Sequence, residues 1–101
     1  MFKDLDQLLH SQQRLAVISL LISVDEADFV FLREKTGTTA GNLSVHIDKL
    51  NEAGYIEVRK FIDGKRPRTV CRITPAGIDA FESYVQTLQE YIQVKKGGEK
   101  T

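Results

Sequence analysis

Two groups of side chains in this chain are suited to hydrogen bonding and to charge. The first follows a glycine-broken turn, Thr36-Gly37-Thr38, and comprises Thr38, Thr39, Gly41, Asn42, Ser44, Val45, His46 and Lys49. The second is Lys65, Arg66 and Arg68, set around the turn Asp63-Gly64-Lys65-Arg66-Pro67-Arg68. An asparagine amide can pair with an adenine edge, a valine can touch a thymine methyl, and a lysine can reach a phosphate or a guanine. Long cations on a turn can reach a sugar–phosphate backbone, and an arginine in a minor groove senses its width. Together the two groups suit recognition of duplex DNA.

The formal net charge of zero argues against a nucleic-acid partner until it is divided along the chain. Residues 59–72 hold Arg59, Lys60, Lys65, Arg66, Arg68 and Arg72 against Asp63 alone, a local excess of +5. Residues 1–58 carry −4 and residues 73–101 carry −1. Exposed charges more than ~8–10 Å apart are largely screened at ordinary salt. A phosphate near the hairpin would therefore sense the cluster rather than the distant carboxylates.

The elements that must position these groups follow from periodicity. Leu43, Ile47 and Leu50 recur at i, i+4 and i+7 and define the buried side of a helix over Thr39–Ala53. Its opposite side presents Thr38, Gly41, Asn42, Val45, Asp48, Lys49 and Glu52, with Ser44 and His46 on the flanks. Asp48 and Glu52 confine any contact with phosphate to the first two or three turns. Either Thr38 or Thr39 caps this helix, and its free N–H groups suit an anion. Gly41 costs roughly 1 kcal/mol of helix stability relative to alanine, a cost that close approach of a phosphate or a backbone would explain. A small helix over Val30–Thr36, with Phe31 and Leu32 inward, ends at Gly37. Two helices joined by such a turn form a helix-turn-helix.

Tyr55–Ile62 and Arg68–Ile73 are rich in β-branched and aromatic residues, as strands are. Asp63-Gly64 is the turn between them, and pairing is expected to start after Pro67. Upstream, Leu5, Leu8 and Leu9 predict a short opening helix over Asp4–His10. Ser11 then caps a helix over Gln12–Ser23, whose broad apolar face belongs in the middle of a core. Asp25–Asp28 reads as a connection, with Phe29 entering a short extended piece.

Thr74-Pro75 opens the last helix, which is expected to run to about Val94 before a flexible tail over 95–101. Ile78, Phe81, Val85, Leu88 and Ile92 recur at alternating steps of three and four, flanked by Tyr84 and Tyr91. That stripe is wider than a small domain needs for itself. It predicts packing against a second copy, joined by Leu5, Leu8 and Leu9. A symmetric pair would set two reading helices about one duplex turn apart, roughly 34 Å, and favour a near-palindromic site.

The stretches TGTTAGNLSVHIDKLNEAGYIEVRK, GKRPRT and ITPAGIDAF resemble the small winged-helix transcriptional regulators related to the MarR and ArsR groups. The likeness spans about Asp4–Val94. It implies an α+β, mostly α domain over 1–94: a winged helix-turn-helix with a two-stranded β-hairpin wing and a long C-terminal dimerisation helix. It also implies that Thr39–Ala53 enters a major groove while the wing tip, Asp63–Arg68, touches backbone or minor groove. A homodimer, double-stranded DNA and an unidentified small-molecule effector are the partners implied, with Tyr84 and Tyr91 lining a crevice. Val30 stands where a capping hydroxyl is usual. The paired thiols of metal-sensing ArsR-type regulators are absent, so metal sensing does not carry over.

Enzymatic chemistry has no foothold. There is no GxSxG, P-loop or HExxH, and His10-Ser11 and Ser44/His46 lack an orienting acid. No cofactor is expected. Cys71, the only cysteine, excludes an intrachain disulfide and an all-cysteine metal cage. No apolar run approaches the roughly 20 residues of a membrane span, and MFKDLDQ lacks a signal-peptide pattern, so a cytoplasmic location is expected. The remaining rival is a winged-helix module that binds other proteins. Neutral net charge favours that rival; the basic hairpin opposes it.

Overall fold

The computed structural model describes residues 2–100, with side chains through residue 93. Helix α1 (Gln12–Val24) starts at Ser11, whose hydroxyl accepts from the Arg14 N–H. Val17, Ile18 and Leu21 on it are fully buried and form the centre of the core. It stops at Asp25, which takes a left-handed φ of 68° and donates its N–H to the Leu21 carbonyl at 2.7 Å.

The segment before α1 departs from expectation. Asp4–His10 forms a turn at Gln7–Leu9 and no helix. The Asp6 carboxylate accepts from Leu8 N at 2.9 Å and Leu9 N at 3.3 Å. The carboxylate thus caps a single turn, which His10 N closes on the Asp6 carbonyl at 2.8 Å before the chain bends at Ser11 into α1. The turn still drops Leu9 into the core at 0% exposure, and Leu5 and Leu8 pack around it.

Asp25–Asp28 is also more than a connection. Glu26–Asp28 is a strand, β1, and Phe29 opens helix α2 (Phe29–Thr36) instead of an extended piece. The reason is Asp28, whose Oδ1 accepts from Phe31 N at 2.8 Å and caps the helix. The cap missing at Val30 is therefore supplied two residues earlier. Gly37, at a φ of 69°, ends α2 in the left-handed region that favours glycine. Thr39 then caps α3 (Ala40–Glu52).

Strands β2 (Ile56–Asp63) and β3 (Arg66–Ile73) make the hairpin, and the sheet order is β1-β3-β2, all antiparallel. Pairing includes Pro67, opposite Ile62, where the sequence placed it outside the ladder. Proline is tolerated there because β1 reaches only Val70, leaving β3 a neighbour on one side at Pro67. The wing is thus two-stranded at its tip and part of a three-stranded sheet at its base. Alternation sorts its residues. Ile56, Val58, Lys60, Ile62, Pro67, Thr69, Cys71 and Ile73 share the face toward α3 and the core. Arg59, Phe61, Arg66, Arg68 and Arg72 share the other.

Helix α4 (Pro75–Lys100) continues past the expected end near Val94, so the residues read as a flexible tail begin as helical backbone; their side chains lie outside the described residues. Its start is tied to the α3–β2 turn. Thr74 Oγ1 donates to the Gly54 carbonyl at 2.7 Å and accepts from Gly77 N at 3.0 Å, while Thr74 N donates to the Tyr55 carbonyl at 3.2 Å. Gly77 lies so close to that strand that a β-carbon would collide with the Tyr55 carbonyl and come within 2.9 Å of Ile73 Cδ1. Among the described residues, no helix is long and apolar enough to cross a membrane.

Candidate nucleic-acid interface

Helix α3 is two-sided. Leu43, Ile47 and Leu50 are buried at 0–4% exposure, whereas Gly41, Asn42, Ser44, Val45, Asp48 and Lys49 are exposed. Val45 keeps 52% of its surface in water, with polar Ser44, Asp48 and Lys49 exposed around it. Thr39 is exposed, with its hydroxyl accepting from Asn42 N at 3.2 Å. Beyond its own helical turn no atom lies within 4 Å of where a Gly41 β-carbon would stand, so no packing contact within the described chain accounts for that glycine.

Thr38 sits apart from the other candidates. It is buried at 9% exposure, and its hydroxyl donates to Gln13 Oε1 at 2.9 Å, locking the turn onto α1. The role it has in this fold is structural. Periodicity put it on the outer side because it extended the helical angle backward through a residue that is not helical.

His46 is half-buried at the α1–α3 junction. Arg14 Nη1 lies 3.1 Å from His46 Nδ1, and Arg14 Nε donates to the Leu8 carbonyl. Burial first, then the Arg14 and Lys49 cations, hold the imidazole pKa below its usual value. Sequence reasoning missed Arg14 because it lies on a different helix, thirty-two positions away.

The basic cluster of the hairpin is divided by the fold. Lys65 and Arg66 are exposed at the tip and form no ion pair among the described residues. Arg68 is engaged: its guanidinium lies 2.6 Å from Asp28 Oδ2 and 3.2 Å from Asp63 Oδ2. Arg59 approaches Glu26 at 3.8 Å and lies over the Phe61 ring. All of these pairs are on the face away from α3. Arg66 is placed on that face by register too, although its position at the tip leaves it in solvent. The cation on the α3 side is Lys60, beside Ser44, Asp48 and Thr69. Strand alternation from Ile56 and Val58 was the signal that could have singled it out.

The residues expected at a subunit interface serve largely within the chain. Leu9 and Tyr84 are buried core residues, and Leu5, Leu8, Ile78 and Phe81 pack against that core. The Tyr84 hydroxyl shares a 3.0 Å hydrogen bond with His10 Nδ1. Tyr91 stacks on Phe2 with ring centroids 4.3 Å apart and donates to the Lys3 carbonyl at 3.2 Å. Tyr91 is thus engaged by the chain's own N-terminal segment, while Tyr84 still borders a groove between α1 and α4. Leu88 and Ile92 stay exposed, at 38% and 52%. Beside them an open, mostly apolar groove of about 370 Å³ runs between α1 and α4, lined by Leu15, Ala16, Phe81, Val85 and Leu88 among others.

Comparison with known proteins places this geometry. A family model described as a winged helix DNA-binding domain matches residues 13–92. An uncharacterised protein of Methanocaldococcus jannaschii is 33% identical over 90 residues, covering 89% of this chain and 95% of its own length. A transcriptional regulator homologue from Pyrococcus horikoshii superposes with a TM-score of 0.79 at 30% identity, covering 87% of each chain. A MarR-family regulator from Silicibacter pomeroyi shares the fold, with a TM-score of 0.64, 22% identity, and 82% and 55% of the two chains covered. The exposed α3 face, the hairpin beside it and these matches agree: the chain belongs to the winged-helix DNA-binding domain family.

Proposed function

We propose that this protein binds double-stranded DNA sequence-specifically as a homodimer and so regulates transcription, with residues 1–94 as the working domain. Helix α3 enters a major groove through Asn42, Ser44, Val45 and Lys49, and Thr39 and Gly41 allow its start to approach the backbone. Lys65 and Arg66 at the wing tip, with Lys60 between wing and helix, contact phosphate. The observation that carries this reading is the exposure of Val45 between polar neighbours on a helix whose other face is fully buried. A thymine methyl gives that side chain a use that solvent does not.

The dimer rests on α4. The chain's radius of gyration of 16.1 Å exceeds the ~13 Å of a compact chain of this length, and its long axis is 64 Å. A helix that leaves the body with Leu88 and Ile92 exposed is favoured by a second copy covering the strip and the adjoining groove. An effector remains part of the reading without a residue assigned to it.

Selecting genomic fragments on the purified protein tests specific binding and yields the site. Recovery of one near-palindromic sequence is expected, whereas fragments of unrelated sequence in proportion to length would leave a non-specific or protein-binding module. Analytical ultracentrifugation tests the pair: a dimer at micromolar concentration, converted to a monomer by Leu88→Glu with Ile92→Glu.

A further inference from the structure

His46 is the one α3 side chain that is hydrogen-bonded to another helix and also opens outward. Its inward nitrogen faces Arg14 Nη1 at 3.1 Å. A guanidinium carries only donors and keeps its proton at every ordinary pH. The group it meets must therefore be an acceptor, so Nδ1 carries the lone pair and the ring proton resides on Nε2. Arg14 is itself fixed, because its Nε donates to the Leu8 carbonyl and its backbone N–H is taken by the Ser11 cap. The acceptor role of Nδ1 is thus imposed by a rigid neighbour.

The other nitrogen is available. Nε2 has no hydrogen-bond partner among the described residues, and none of their buried side-chain nitrogens or oxygens lacks one, so Nε2 reaches solvent. Asn42 and Lys49 stand four residues before and three after on the same helix, giving one strip of donors along that edge of α3. The charged groups acting on His46 are Arg14 from α1 and Lys49 from α3, both cations. Each disfavours an imidazolium.

We propose that His46 is a hydrogen-bond donor to an acceptor atom of DNA, presented through Nε2–H, and that Arg14 is the positioning residue that fixes its tautomer. This rests on the assignment of α3 to the groove. The acceptor is a phosphate oxygen or a base-edge nitrogen or oxygen. A neutral donor recognises either without adding to the counterion release that a cation would bring.

The test uses the full chain. Long-range proton–nitrogen NMR of the free protein is expected to show Nδ1 unprotonated and Nε2 protonated from pH 6 to 8, and Arg14→Met is expected to mix the two tautomers. A spectrum with the proton on Nδ1 would overturn the assignment. On the selected genomic fragment, His46→Gln places an amide near Nε2 and is expected to keep affinity, whereas His46→Asn places one near Nδ1 and is expected to lose about three- to tenfold. Both variants are first matched to wild type by circular dichroism. A merely structural role would give the reverse order, since only asparagine keeps a partner for Arg14. Equal binding by the two variants removes the donor role alone. Failure of the wild type to bind any fragment removes the groove assignment and the donor role together. Loss on every sequence marks a phosphate as the acceptor. Loss confined to the cognate site, and reproduced by 7-deazapurine substitution at one position, marks a base.

Discussion

Arg68 lies 2.6 Å from the Asp28 carboxylate, which uses its other oxygen to cap α2 through Phe31 N. One aspartate therefore starts the first helix of the helix-turn-helix and anchors a cation of the wing. The base of the wing is thereby tethered to the motif it accompanies, and Arg68 is withdrawn from the cations free to meet phosphate.

Separate outcomes follow for the two arginines. Arg68→Ala is expected to cost about 0.5–1 kcal/mol of stability, because the pair is partly exposed and screened. It should leave the salt dependence of DNA affinity nearly unchanged. Lys65→Ala with Arg66→Ala is expected to leave stability within ±0.5 kcal/mol and to flatten the log–log salt slope by about 2. Urea melts and anisotropy titrations at several salt concentrations measure both. An unchanged slope in the double variant would remove the wing tip from the interface.

Gly77→Ala is expected to destabilise by about 1–3 kcal/mol, the range for forcing extra volume into a packed site. The added methyl would collide with the Tyr55 backbone, which cannot rotate away as a side-chain end could. Gly41→Ala meets nothing within the described chain and is expected to stabilise the helix instead. Its cost should appear in DNA affinity. Chemical denaturation of the two variants side by side separates these glycines.

Acid is expected to weaken the fold through His46. Its folded pKa lies below the unfolded value of about 6.5. The unfolded chain thus binds the proton more readily, and the contribution is fully present above that pH. It is lost progressively as pH falls below it, toward the folded value. His46→Gln is expected to remove this part of the pH dependence. Melting temperatures of wild type and variant from pH 7.5 to 5 would show it, and parallel curves would exclude His46 as the source.

Cys71 is expected to resist thiol reagents. It is fully buried on the inner face of β3, and burial pushes its thiol up to about 11. The reactive thiolate is consequently scarce near neutral pH. Reaction with an aromatic disulfide at pH 7.5 is expected only as the protein unfolds, and peroxide should leave DNA affinity unchanged. Rapid labelling of the native chain would contradict this burial and point to a reactive thiol.

The two-sided character of α3 was legible in the order of residues, because a 3.6-residue period is a property of the local chain and Leu43, Ile47 and Leu50 declare it. So were the caps at Ser11 and Thr74 and, to within one residue, the one the structure places at Thr39, where a hydroxyl bonds within a few positions of itself. The opening turn at Asp6 and strand β1 were not. The turn that Asp6 caps ends after one turn, where the chain bends at Ser11 into α1, and Glu26–Asp28 is a strand only because β3 arrives beside it from more than forty residues away. Tertiary structure likewise decided which basic residues are paired, which apolar residues of α4 are covered, and which nitrogen of His46 faces inward. Each depends on a carboxylate, a strap or a guanidinium brought close by topology, and no local spacing encodes those distances.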